Sequence, residues 1–229
     1  MLAFGFLANL MEAMISIGAS CPWEIIFLDF DGVVKDSLAA KGEAFEQIFL
    51  PFGADIAKEV RRHHEANGGV SRFDKLPLYF AMAGTQSSEE LIAEYARKFS
   101  NLVMQKVVDS QWVPGVRQFL AKHSADKQFF LITATPQEEI QEIVEIIGIN
   151  HFFIKIVGAP VKKADAIHEI LEATSVSADR AMMIGDSISD YQGAVSNNIM
   201  FILRKTSLNR GLQQELICPM IDDFCDLTI

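Results

Sequence analysis

The chain has 229 residues, half of them hydrophobic, which is enough for one sizeable domain or a core carrying a smaller insertion. Its net charge is −10 and its pI about 5.0, with no long lysine or arginine run, and this argues against a nucleic-acid partner. Cys21, Cys218 and Cys225 make no CxxC or Cys/His metal spacing and read as reduced thiols of a cytoplasmic protein.

Residues 1–22 are mostly apolar, and Glu12 is their single charged side chain. They lack the basic start of a signal peptide, and Glu12 with scattered Gly, Asn and Ser interrupts any membrane span. Leu7, Leu10, Met11, Met14 and Ile15 recur at helical spacing. An amphipathic helix is expected, packed within the protein or against a second subunit of a homodimer rather than on a membrane.

The run Ile25-Ile26-Phe27-Leu28 then leads into Asp29-Phe30-Asp31-Gly32. Continuous apolar character predicts a buried strand of a parallel sheet. Side chains two apart on a strand share a face, so Asp29 and Asp31 are expected to face one pocket. Gly32 allows the sharp turn that follows. Two adjoining carboxylates invite a divalent cation and a division of labour between nucleophile and acid/base.

Residues 38–112 show helical periodicity at 44–49, 55–64, 73–82 and 89–107, broken by Pro51-Phe52-Gly53 and Asn67-Gly68-Gly69. Strand-like runs resume at 129–132, 152–157, 181–184 and 199–203, with helical patterns at 137–147, 163–173 and 190–196 between them. Alternation of this kind predicts an α/β fold: a Rossmann-like parallel sheet sandwiched by helices, with an inserted α-helical cap. The expected division is an extension over 1–22, a core over 23–37 and 113–229, and a cap over 38–112.

Three later segments end in chemistry-bearing residues. Phe129-Phe130-Leu131-Ile132 runs into Thr133-Ala134-Thr135, where Thr135 could also cap the next helix. Lys162 and Lys163 stand before a helix, and Met182-Met183-Ile184 runs into Gly185-Asp186-Ser187 and then Asp190. His63 and His64 lack metal-ligand partners at suitable spacing and read as surface helix residues.

The segment from Ile25 to Ser37 resembles motif I of the haloacid dehalogenase-like superfamily: four apolar residues, then Asp-x-Asp-Gly-x-x-x-Asp-Ser/Thr. Thr133, Lys163 and Gly185-Asp186-Ser187-x-x-Asp190 resemble motifs II, III and IV, in the family order, with the longest gap where a cap is inserted. Lys163 is preferred to Lys162, because Ile167 follows it at the motif's spacing. An aspartate two residues after the nucleophile resembles the phosphatase branch, similar to phosphoglycolate phosphatases and β-phosphoglucomutases.

The resemblance implies an Mg²⁺-dependent phosphomonoesterase acting on a small phosphorylated metabolite. Asp29 would attack phosphorus and form an aspartyl-phosphate, and Asp31 would serve as acid and base. Thr133, Lys163 and backbone amides near Phe30 and Asp31 would hold phosphoryl oxygens. Asp29 and Asp186 would bind the metal through carboxylates, Asp31 through its carbonyl, and Asp190 behind them or through water. The loop Gly69-Val70-Ser71-Arg72 resembles a cap loop of β-phosphoglucomutase-like members, which implies substrate binding by Arg72. A sugar phosphomutase would use the same aspartate pair, and a non-catalytic binding module would not need it.

Overall fold

The computed structural model describes residues 23–229, so the expected amphipathic helix over 1–22 lies outside the described residues. Six parallel strands form one sheet: β1 (Ile25–Leu28), β2 (Gln128–Pro136), β3 (Phe153–Ala159), β4 (Ala181–Gly185), β5 (Met200–Arg204) and β6 (Met220–Ile221). Their spatial order is β3-β2-β1-β4-β5-β6. The strand order therefore reverses at β1, and such a switch point leaves a crevice beyond the carboxyl ends of the strands.

The central strands β1 and β4 are covered on both faces, which is why they are apolar throughout rather than alternating. Ile26 and Leu28 face one core with Leu131, Met182 and Ile184, whereas Ile25 and Phe27 face another with Ile132, Met183 and Leu203. The first core is closed by α5 (Val116–His123) and α6 (Gln137–Ile146). The second is closed by α7 (Lys163–Thr174) and α8 (Ile188–Ser196). A short α9 (Arg210–Glu215) follows β5. The sequence pattern did not reveal α5, α9 or β6, all of them short.

Between β1 and α5 lie four α-helices and no named strand: α1 (Leu38–Phe49), α2 (Ala54–Ala66), α3 (Arg72–Met82) and α4 (Glu89–Asp109). Phe45, Phe49, Tyr79, Phe80, Tyr95 and Phe99 pack ring against ring inside this helical insertion. Its exit and return segments run side by side. The Asp36 amide donates to the Gln111 carbonyl at 2.8 Å, and the Val113 amide to the Val34 carbonyl at 3.1 Å. That pairing sets the insertion over the carboxyl end of β1. Among the described residues no helix is long and apolar enough to cross a membrane.

Candidate active site

Asp29 is the first residue past β1, and its carboxylate is turned back on the chain: Oδ1 accepts the Phe30 amide at 2.8 Å. The Phe30 amide is thus directed at the Asp29 carboxylate. Oδ2 lies 3.0 Å from Lys163 Nζ, at the first turn of α7. Lys163 is buried and Lys162 exposed, so the helix start turns only Lys163 inward. Lys163 Nζ also donates to Asp190 Oδ1 at 2.5 Å.

Asp190 is fully buried and closes the start of α8. Its Oδ2 accepts from the Ser187 amide at 3.1 Å and the Ser187 hydroxyl at 2.5 Å. Both of its oxygens thus have protein partners. Asp29, Asp186 and Asp190 nevertheless offer carboxylate oxygens that all lie within 4.8 Å of one another. Asp186 approaches β1 closely because residue 32 is glycine. A Cβ there would stand 2.5 Å from Asp186 Oδ2, and the backbone has φ +76°. Asn209 buttresses the same loop, donating through Nδ2 to the Asp186 carbonyl at 2.7 Å.

This packing leaves three carboxylates beside a single ammonium. Burial pushes the Asp29 carboxyl up; Lys163 pulls it down, Asp190 and Asp31 push it up again, and the result is about 7. Burial and the charges of Asp29 and Asp190 hold Asp186 well above the carboxylate range. Burial works against the charged form of Lys163, but Asp190 and Asp29 outweigh it and raise its pKa. An excess of hard oxygen donors over cations fits a divalent ion such as Mg²⁺.

Asp31 has a different environment. Ser37 Oγ donates to its Oδ1 at 2.6 Å, and Thr135 Oγ1 to its Oδ2 at 3.1 Å. Lys41 Nζ, from α1, pairs with the same Oδ2. Burial alone would raise the Asp31 pKa; the Lys41 charge and these hydrogen bonds more than offset it and leave it lowered. The sequence reading missed Lys41, although a lone lysine in the first turns of an otherwise uncharged helix start was a usable signal. Thr135 does not cap α6: its hydroxyl serves Asp31, while its amide donates to Thr133 Oγ1 at 3.2 Å.

Asp29, Asp31, Thr133 and Asp186 line one cavity of about 50 Å³, together with Lys41, His64, Gly69, Arg72, Lys75 and Phe99 from the insertion. Besides the Lys41 contact with Asp31 and Thr135, two further points seat the insertion on the core. Ser189 Oγ donates to the Gly69 carbonyl at 3.0 Å, and a Cβ at Gly69 would lie 2.2 Å from Ser187 Oγ. The second point is Arg72. Its guanidinium grips Glu139 of α6 through two hydrogen bonds of 2.9 and 2.6 Å, donates to Ser100 Oγ at 2.5 Å and lies over the Phe99 ring. Arg72 was expected to bind substrate; it lines the cavity, but its fork is filled by a buried carboxylate from the core. His64 was expected at the surface and instead lines the cavity, where its Nδ1 lies 3.1 Å from Lys75 Nζ. His63 is partly buried against Tyr79.

Comparison with known proteins agrees with this geometry. A phosphoglycolate phosphatase from Vibrio cholerae is 28% identical over 75% of this chain and 79% of its own length. One from Pseudomonas fluorescens is 25% identical over 82% of this chain and 71% of its own length. Among solved structures, β-phosphoglucomutase from Clostridium difficile superposes with TM-score 0.72 at 18% identity, covering 90% of this chain and 94% of that one. CbbY from Rhodobacter sphaeroides in complex with phosphate gives 0.71 at 16% identity, covering 90% and 96%. The family model described as haloacid dehalogenase-like hydrolase matches residues 25–203, which takes in β1 through β4, all but the last residue of β5 and every motif residue named above, and the chain is an enzyme of that family.

Proposed function

We propose that this hydrolase is an Mg²⁺-dependent phosphomonoesterase acting on a small phosphorylated metabolite through an aspartyl-phosphate. The observation that carries the reading is the pairing of two unlike carboxylates in one cavity. Asp29 faces Lys163 and two further acids, and Asp31 faces Lys41 and two hydroxyls. Environments that push neighbouring carboxylates apart are those that divide nucleophile from acid/base.

In the first half-reaction an Asp29 oxygen bonds to phosphorus and the ester oxygen leaves with a proton from Asp31. Arrival of an anionic phosphoryl group beside Asp31 raises its proton affinity and so supplies the acid form. In the second half, Asp31 takes a proton from water, the water oxygen bonds to phosphorus, and Asp29 is released. The three hydrogen-bond donors to Asp31, on Ser37, Thr135 and Lys41, favour the ionised form that this step needs. Lys163 and Thr133 would hold phosphoryl oxygens as charge develops. Asp29 and Asp186 would hold the metal through carboxylates and Asp31 through its carbonyl, with Asp190 behind them fixing Lys163. A bound Mg²⁺ would neutralise phosphoryl charge.

A phosphomutase would employ the same pair, but the curated relatives carry a phosphatase name, which favours water as the acceptor. The free Cys218 and Cys225 fit a reducing compartment, and we place the enzyme in the cytoplasm. A screen of phosphorylated metabolites with Mg²⁺, reading released phosphate, tests the proposal. At least one small phosphomonoester should turn over, and activity should vanish in EDTA and return with Mg²⁺. Full activity after exhaustive chelation would overturn the metal assignment, and no hydrolysis of any phosphomonoester would overturn the function.

A further inference from the structure

Three cationic side chains line the catalytic cavity: Lys41, Arg72 and Lys75. Lys41 is paired with Asp31, and Arg72 with Glu139. Lys75, on α3, is 2% exposed and pairs with no carboxylate among the described residues. Its one hydrogen-bond partner there is His64 Nδ1, at 3.1 Å. An ammonium carries three donors and no acceptor, so His64 accepts through Nδ1 and carries its proton on Nε2. The His64 ring is in turn held against Phe45, with centroids 4.7 Å apart. Lys75 is thus aimed by a neutral imidazole, with donors to spare, at a cavity shared with the catalytic aspartates.

Burying a cation without a counter-charge is costly. Here burial, and then the charge of Lys41, bring the Lys75 pKa down to about 7. An anion delivered to the cavity would remove that penalty. Asp29, Thr133 and Lys163 are committed to the phosphoryl end. The remaining anion must therefore belong to another part of the ligand.

Building on the phosphatase reading, we propose that Lys75, positioned by His64, is the subsite for a second anionic group on the substrate. The assigned substrate class is a short phosphomonoester that also bears a carboxylate. Lys75 lines the same small cavity as Asp29 and Asp31, which favours a short span between the two anionic groups. Lys75 then determines specificity, and Arg72, whose fork is already filled, does not.

The test measures binding separately from turnover. The full chain carrying Asp29→Asn, with Mg²⁺, is titrated calorimetrically with 2-phosphoglycolate and with ethyl phosphate, which differ in the carboxylate. A second pair, glucose 1,6-bisphosphate and glucose 6-phosphate, distinguishes a carboxylate from a second phosphate. The acid should bind at least tenfold more tightly than ethyl phosphate. Adding Lys75→Met should bring that ratio to within about twofold, and Lys75→Arg should retain part of it; thermal melts check that each variant is folded.

A ratio that survives Lys75→Met, or no preference within either pair, overturns the subsite. A preference confined to the bisphosphate pair and lost with Lys75 keeps the anion subsite but overturns the carboxylate. The phosphatase reading fails separately: the unsubstituted enzyme would then bind the acid with the Lys75-dependent preference and release no phosphate.

Discussion

Lys41 Nζ bridges Asp31 Oδ2 and Thr135 Oγ1, so a lysine from the helical insertion sets the ionisation of the aspartate at the end of β1. Removing it leaves burial as the dominant influence on Asp31, and burial raises a carboxyl pKa. In Lys41→Met the base form of Asp31 is reached only at higher pH. The acid limb of the kcat–pH profile should move upward by a unit or more, with kcat at neutral pH reduced roughly 10²-fold, within the range of general acid–base effects. An unmoved acid limb would separate Lys41 from Asp31 ionisation.

Asp29→Asn should abolish turnover and leave the fold intact, since the amide keeps the size of the group but cannot attack phosphorus. Asp31→Asn should be severely impaired while still able to accept a phosphoryl group from an activated aryl phosphate. Acid-quench labelling of the protein with such a substrate distinguishes the two. Labelled Asp29→Asn protein would mean that another residue is the nucleophile.

Arg72→Ala should act chiefly on stability. It strands Glu139, whose side chain is 8% exposed, and breaking such a pair costs about 3–5 kcal/mol. Urea unfolding should show that loss in Arg72→Ala and in Glu139→Ala. The double variant Arg72→Met/Glu139→Leu should recover most of it, because neither charge is then left unpaired. Wild-type stability of Arg72→Ala with a raised KM would instead restore Arg72 as a substrate ligand.

Lys75 also makes a prediction about pH. Its pKa of about 7 in the folded chain lies below the ordinary lysine value of 10.5. Between those two values the unfolded chain binds more protons, so stability rises with pH across that window and the full penalty applies below it. Lys75→Met removes the penalty. The melting temperature of that variant should exceed wild type by several degrees at pH 7, and the gap should narrow as pH rises toward 10. A variant less stable than wild type at pH 7 would show that the Lys75 contacts outweigh its desolvation.

Much of the architecture was written locally. The apolar runs that became β1 to β5, the periodicity that became α1 to α4 and α6 to α8, and the acids, hydroxyl and lysine at the element ends were all visible in the chain. Strand and helix periods, turn-forming glycines and residue spacing are properties of short segments, so a linear pattern can carry them. The tertiary structure decided which charges meet. Lys41 finds Thr135 at a separation of 94 residues, and Arg72 finds Glu139 at 67. Nothing in the spacing of an arginine reports whether its fork will face a ligand or a buried carboxylate. That depends on which helix of the core lies beneath it, and the packing of α3 and α4 on α6 settles it. The same packing turned His64 and Lys75 inward and left Lys75, among the described residues, without an acid beside it.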